Sequence, residues 1–312
     1  MWSYQVFFED DGEFFKYGAY GGQGSMAAQT VFPYLESLLS FLEMDRAEWE
    51  PSIQRISEDL NRFFATKDTS CIDHAMQLLD ELSAKHVYFR LLYLQWSWRK
   101  AEGCMEPKMA EEMCRLPEQL AMYQKQAQTF VENILDIDRV GRDVKRNTRK
   151  NYRFDHPQDP ALFYFKPIPV SFGPMGEDSC GTILYPNTIR DLIDFSLRDC
   201  VVKNIPVRRC RSCGRYFPIT GRITAEYCSR PQPSGKLCRN IAPVRKWAEG
   251  QKKDLIFQEY RREYKRHFAW IRAGKISEAQ FAAWAKKAKE KKKACDNEII
   301  SLDEFKQWLK NS

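Results

Sequence analysis

The chain opens on short runs of apolar residues and then settles into helical periods. Tyr4 to Phe8 and Glu13 to Tyr17 are aromatic-rich runs separated by Glu9-Asp10-Asp11-Gly12, a pattern that predicts two strands joined by a tight turn. Val31, Leu35, Leu38, Leu39 and Leu42 then recur at helical spacing, with Pro33 expected to bend or delay the helix. Ile53 to Phe64, Ile72 to Arg99 and Met109 to Leu135 continue the helical character, rich in Leu, Met, Gln, Glu and Lys and poor in internal glycine. Residues 1–150 therefore read as a mainly helical domain opened by a short β-hairpin.

From Asp136 to Arg153 the residues turn polar and basic, and Asp155-His156-Pro157-Gln158-Asp159-Pro160 supplies turn chemistry, so a boundary is expected near 150. Leu162 to Phe172 and Thr182 to Tyr185 resemble strands, the first bent or at an edge because of Pro167 and Pro169. Pro186-Asn187-Thr188 starts an amphipathic helix through Ile189, Leu192, Ile193 and Leu197. Residues 151–205 thus form a small α+β segment, 206–242 a cysteine-bearing finger and 243–312 a basic helical tail. The expected fold class is α+β, mainly α.

In the tail, Phe257, Tyr260, Tyr264, Phe268 and Ile271 recur at three- and four-residue steps, one apolar face of a helix and a better candidate for core than for base stacking. A short repeat follows: Ile276-Ser277 to Trp284 and Ile300-Ser301 to Trp308 both read I-S-x-x-x-F-x-x-W. Each serine can cap a helix while Gln280 or Glu304, three residues on, reaches back to it. Two copies predict a pair of packed helices, short of the three units a solenoid needs.

Composition changes this picture in one respect. Hydrophobic residues at 43% and aromatics at 13% fit a folded globular chain, but the net charge of +7 is unevenly spread. Residues 201–312 carry 27 Lys and Arg against 11 Asp and Glu, a net of +16, whereas the first 200 residues are at −9. An acidic body with a basic, anion-seeking end is the physical reading. The start of the chain lacks the basic and apolar pattern of a secretory signal, and the longest apolar stretch, His86 to Trp98, is interrupted by Arg90 and falls short of the roughly 20 residues a membrane span needs. A cytoplasmic protein with no membrane contact is expected.

In such a compartment ten cysteines are thiols or metal ligands rather than disulfides. Six are scattered singly. The other four, Cys210, Cys213, Cys228 and Cys238, fall within one short segment. Two residues between Cys210 and Cys213 let both sulfurs face one ion, and Gly214 permits the turn by which backbone amides approach them. Pro231, Pro233 and Gly235 suggest a rigid loop that returns Cys238 to the same ion. Four thiolates close a tetrahedral shell, so Zn2+ in a structural role is the expected cofactor. A redox reading of Cys-x-x-Cys would leave Cys228 and Cys238 unexplained.

The run C-R-S-C-G-R-Y-F, followed by Y-C, a gapped G-K-L-C-R-N and a basic helix, resembles an uncharacterised bacterial family, a domain of unknown function, over about the last 130 residues. That resemblance implies a finger and no established activity. A looser similarity, to the CGNR-type zinc fingers of bacterial regulators, implies DNA binding, although Leu237-Cys238-Arg239-Asn240 replaces the C-G-N-R run.

Cations crowd the finger: Arg208, Arg209, Arg211, Arg215, Arg222, Arg239, Arg245 and Lys246 are the candidate nucleic-acid contacts, because guanidinium forks match phosphate oxygens. The lysine-rich stretch Lys286 to Lys293 is either a further phosphate surface or a solvated face. Gly21-Gly22-Gln23-Gly24-Ser25 lacks the lysine of a phosphate loop. His74, His86, His156 and His267 form no H-E-x-x-H pairing, and no G-x-S-x-G run occurs. The expected protein is non-enzymatic, contacting DNA in preference to RNA; a zinc-stabilised protein-interaction module is the alternative.

Overall fold

The computed structural model describes residues 2–19, 28–152, 161–175 and 179–312, with the backbone alone for 2, 19 and 246–253. Gly21 to Ser25, Asp155 and His156 lie outside these residues, as does the side chain of Lys246. The architecture is α+β and mainly α, as the periodicity predicts. Two compact units are distinguished, residues 1–226 and 227–312.

In the first unit β1 (Trp2–Glu9) and β2 (Gly12–Ala19) form the expected hairpin, paired from Trp2↔Ala19 to Glu9↔Gly12. β3 (Ala28–Pro33) continues the sheet, so Val31 belongs to a strand rather than to the helix its spacing suggested. The proline ends the strand, and α1 (Glu36–Glu43) begins beyond it. α2 (Glu50–Thr66) and α3 (Thr69–Lys85) follow.

The apolar run from Ile72 to Arg99 is not one helix. His86 takes an extended conformation, and its Nδ1 accepts the N–H of Tyr88 at 3.1 Å, capping α4 (Val87–Ala101). α5 (Lys108–Phe130) passes through a π turn at Val131–Leu135 into the short α6 (Ile137–Val140) and α7 (Val144–Asn151).

The expected boundary near 150 is not a boundary of packing. β4 (Val170–Pro174) pairs with β5 (Cys180–Leu184), and β5 pairs with β1 through Val6↔Leu184, giving the strand order β3-β2-β1-β5-β4. The next helix, α8 (Ile189–Lys203), buries Ile189, Leu192, Ile193 and Leu197 in the same core as Leu38, Ile53 and Leu79. Its first turn is fixed by a capping box between Thr188 and Asp191. β6 (Val207–Arg209) and β7 (Tyr216–Pro218) form a two-stranded ribbon whose Val207 and Tyr216 also join that core. The finger expected over 206–242 therefore begins as part of the helical body.

The second unit contains α9 (Cys238–Lys253), α10 (Leu255–Arg272), α11 (Glu278–Asp296) and α12 (Leu302–Asn311). Its core holds Ala288, Cys295, Phe305 and Leu309, flanked by Ile256, Tyr260, Trp284 and Trp308. Both copies of the repeat carry complete capping boxes, Ser277 with Gln280 and Ser301 with Glu304. Tyr264 packs edge-on against Phe281 at 5.1 Å and Tyr260 against the core, yet Tyr264 is 36% and Phe268 46% exposed, so the stripe of α10 is only partly buried; beside it, His267 stacks on Trp284 at 3.8 Å.

Candidate metal centre

The four expected ligands converge. The sulfurs of Cys210, Cys213, Cys228 and Cys238 all lie within 4.8 Å of one another, three of the residues buried and Cys213 half-buried. None of the ten cysteines forms a disulfide.

Local backbone chemistry explains how each sulfur arrives. Between β6 and β7 the chain doubles back: the N–H of Cys210 donates to Arg215 O at 2.8 Å and the N–H of Gly214 to Cys210 O at 2.8 Å. Gly214 has φ 75°, a conformation that side-chain-bearing residues rarely adopt. The turn directs the N–H of Ser212 at the Cys210 sulfur, 3.4 Å away, as expected where an amide stabilises a thiolate. The N–H of Arg211 donates to Glu226 O at 3.0 Å, drawing the approach to Cys228 alongside.

The long interval before the last ligand is a hairpin. Pro231 bridges Leu237, the N–H of Gln232 donates to Lys236 O at 2.9 Å, and Gly235 turns the corner with φ 74°. The N–H of Cys238 then donates to Arg230 O and that of Arg239 to Cys228 O, both at 3.0 Å. Cys238 is fully buried at the start of α9, where the helix field favours a negative sulfur, and its Sγ accepts a hydrogen bond from Gln232 Nε2.

A tetrahedron built on metal–sulfur bonds of ~2.3 Å has edges of ~3.8 Å, so four sulfurs within 4.8 Å could close on one metal ion with little movement. With every corner occupied by cysteine, no position is left for substrate.

Residues 185–311 match a family of unknown function (DUF6076). The match covers α8, all four cysteines and the helices of the tail, close to the extent over which the sequence resembles an uncharacterised domain. No curated protein and no solved structure matches the chain.

The cations of the finger divide into two classes. Arg208 is only 14% exposed at its side chain and is held on Asp138, while its Nη1 donates to the carbonyls of Ile223 and Ala225 at 2.9 Å. Arg209 lies 3.5 Å from Glu132 and covers the ring of Tyr216, Arg211 pairs with Glu226 at 2.8 Å, and Arg215 lies 3.3 Å from Glu43. Arg222, Arg239 and Arg245 are exposed and, among the described residues, in no ion pair.

Two positioning residues escaped sequence reasoning. Asp136, buried, accepts the Tyr216 hydroxyl at 2.9 Å and caps α6; Asp138 anchors Arg208. Both are ordinary polar residues in a polar run, and nothing local marks them.

The body brings one suggestive pair together, Ser40 Oγ and His86 Nε2 at 3.1 Å. That nitrogen also lies 3.0 Å from Ser37 O, a pure acceptor, while Nδ1 accepts from the Tyr88 amide. The Nε2 must therefore carry the proton, and the imidazole has no lone pair with which to activate Ser40. No helix among the described residues is long and apolar enough to cross a membrane.

Proposed function

We propose that this chain is a zinc-bearing, non-enzymatic protein that contacts duplex DNA through the free cations of its finger and helical tail. Zinc is the metal that four thiolates in a closed tetrahedron suit best, and in such a site it holds structure rather than performing chemistry. The observation that carries the DNA reading is a set of exposed cations that, among the described residues, form no ion pair. Arg222, Arg239 and Arg245 are joined by Arg261 and Lys265, one turn apart on α10, and by Lys286, Lys289 and Lys293 along α11. Cations with no internal carboxylate are the ones able to release counterions from phosphate.

Fluorescence anisotropy of the zinc-loaded chain on random duplex DNA at two salt concentrations tests this. Binding should weaken with salt, and Arg222→Glu/Arg239→Glu/Arg245→Glu should weaken it further. The same affinity at both salts, or no binding, excludes the reading.

A second reading has one specific observation in its favour. Arg208, Arg209, Arg211 and Arg215 each sit on a carboxylate of their own chain, so four of the finger's cations are already answered and count less toward phosphate. A protein-interaction module predicts an acidic partner in place of DNA.

A further inference from the structure

We propose that the cavity bounded by α4, α5 and the start of α8 is a binding site for a small planar aromatic carboxylate. It lies within the first unit and is independent of the nucleic-acid reading. Its volume of about 470 Å³ falls in the range of sites for small organic ligands, roughly 300–1,000 Å³.

The walls define the ligand. α4 supplies Trp96 and Trp98, and α5 supplies Leu116 and Tyr123, so flat rings and branched carbons dominate the surface. Trp96 is buried, whereas Trp98 is 37% exposed and offers indole surface to an entering molecule. Aromatic walls of this kind favour a flat ring over a flexible chain, because stacking adds to burial.

Charge supplies the second half of the recognition. Of the lining residues, only Arg99 and Glu112 are ionisable acids or bases at neutral pH. Glu112 is already answered by Lys108, one turn away on α5, at 3.6 Å. Arg99 is half-buried, and its guanidinium makes no ion pair, hydrogen bond or ring contact among the described residues. A half-buried guanidinium with no partner among the described residues, beside a cavity walled in part by aromatic rings, is matched by a carboxylate, which can accept two parallel hydrogen bonds from it.

Two other large cavities among the described residues lack this combination. One of about 500 Å³ beside α1 and α4 contains Lys85, His86 and Arg90. There Lys85 donates to Glu48 O, His86 to Ser37 O, and Arg90 lies over Tyr17 and Tyr93, 3.7 Å from Asp80. One of about 480 Å³ beside β4 holds Arg198, which is bound to Asp194, and Lys166, which is exposed to solvent and whose ammonium lacks a guanidinium's two-pronged fork.

The test is calorimetric titration of the full zinc-loaded chain with naphthalene-2-carboxylate, indole-3-carboxylate and naphthalene-2-carboxamide. The carboxylates should bind at least ~10-fold more tightly than the amide, and Arg99→Gln should erase that preference. Leu116→Trp, which fills the cavity, should abolish binding of both acids. Because Arg99 is half-exposed, its glutamine variant keeps the fold and the comparison stands even if the tryptophan variant does not fold. Equal affinity for acid and amide, an unchanged preference in Arg99→Gln, undiminished binding in a folded Leu116→Trp, or no heat from either acid up to about 1 mM would each overturn the proposal.

Discussion

Arg208 and Asp138 are clasped together across a long stretch of chain: Arg208 Nε lies 3.1 and 3.0 Å from Asp138 Oδ1 and Oδ2, and Nη2 lies 3.0 Å from Oδ1. With Nη1 donating to the Ile223 and Ala225 carbonyls as well, each nitrogen of this guanidinium has a partner within the chain. Replacing Arg208 by Ala should destabilise the ribbon by about 1–3 kcal/mol, since two carbonyls and a carboxylate lose their donor. DNA affinity measured on the fraction that remains folded should change less than in Arg239→Glu. Urea melts beside anisotropy titrations separate the two effects; an Arg208→Ala chain of undiminished stability that binds DNA more weakly would reverse the assignment.

Metal removal should act unevenly along the finger. Val207 and Tyr216 are held in the body core, and Tyr216 is further tied to Asp136, whereas no described residue of the Cys228 to Cys238 hairpin belongs to that core. Binding to structural zinc sites is worth on the order of 10 kcal/mol. Chelation should therefore release amide protection over residues 220–238 first and leave the β6–β7 ribbon protected. Hydrogen exchange with and without chelator reads this directly, and protection unchanged throughout would show that the cysteines need no metal.

Stability should fall as pH rises above neutrality. Glu13 is buried, and desolvation pushes its carboxyl up to about 8 despite the Ser37 N–H donating to Oε2 at 2.9 Å. The folded chain then holds a proton that the unfolded chain releases, so from about pH 4.5 to 8 this residue costs stability as pH rises. Burial pushes His86 down to about 4, which acts oppositely, removing stability as pH falls from about 6.5 to 4. Between pH 6.5 and 8 only Glu13 of the pair acts, with a loss of about 2 kcal/mol. Denaturant melts at those two pH values should show the decline in the native chain and a flatter line in Glu13→Gln.

The two capping boxes of the repeat should contribute separately. Ser277→Ala and Ser301→Ala each remove the side chain that accepts the amide of Gln280 or Glu304 at 3.2 Å. Each should cost about 1 kcal/mol in the second unit. Thermal melts of the two single variants and the double variant check whether the costs add, as expected for caps on different helices.

Residue order alone settled whatever depends on neighbours a few positions apart. The strand–turn–strand at the start, most of the helical periods, both capping boxes and the knuckle Cys210-x-x-Cys213 with Gly214 are short-range patterns that stand where their spacing puts them, Val31 and the break at His86 excepted. Even the long gap before Cys238 was legible, because Pro231, Pro233 and Gly235 can do little but turn.

Tertiary structure decided the rest. The break between α3 and α4 falls at His86, where no glycine or proline announces it, because the cap depends on an imidazole held in place by α1. The pairing of β5 with β1 dissolved the boundary expected near 150. Asp138 buried the guanidinium of Arg208, while Glu132 and Glu43 pair with Arg209 and Arg215, which stay exposed. In each case many partners of equal chemistry exist along the chain, and only folding brings one of them within hydrogen-bonding distance. The same cause leaves Arg99 without a partner among the described residues: a guanidinium is engaged or not according to which carboxylates the fold places beside it.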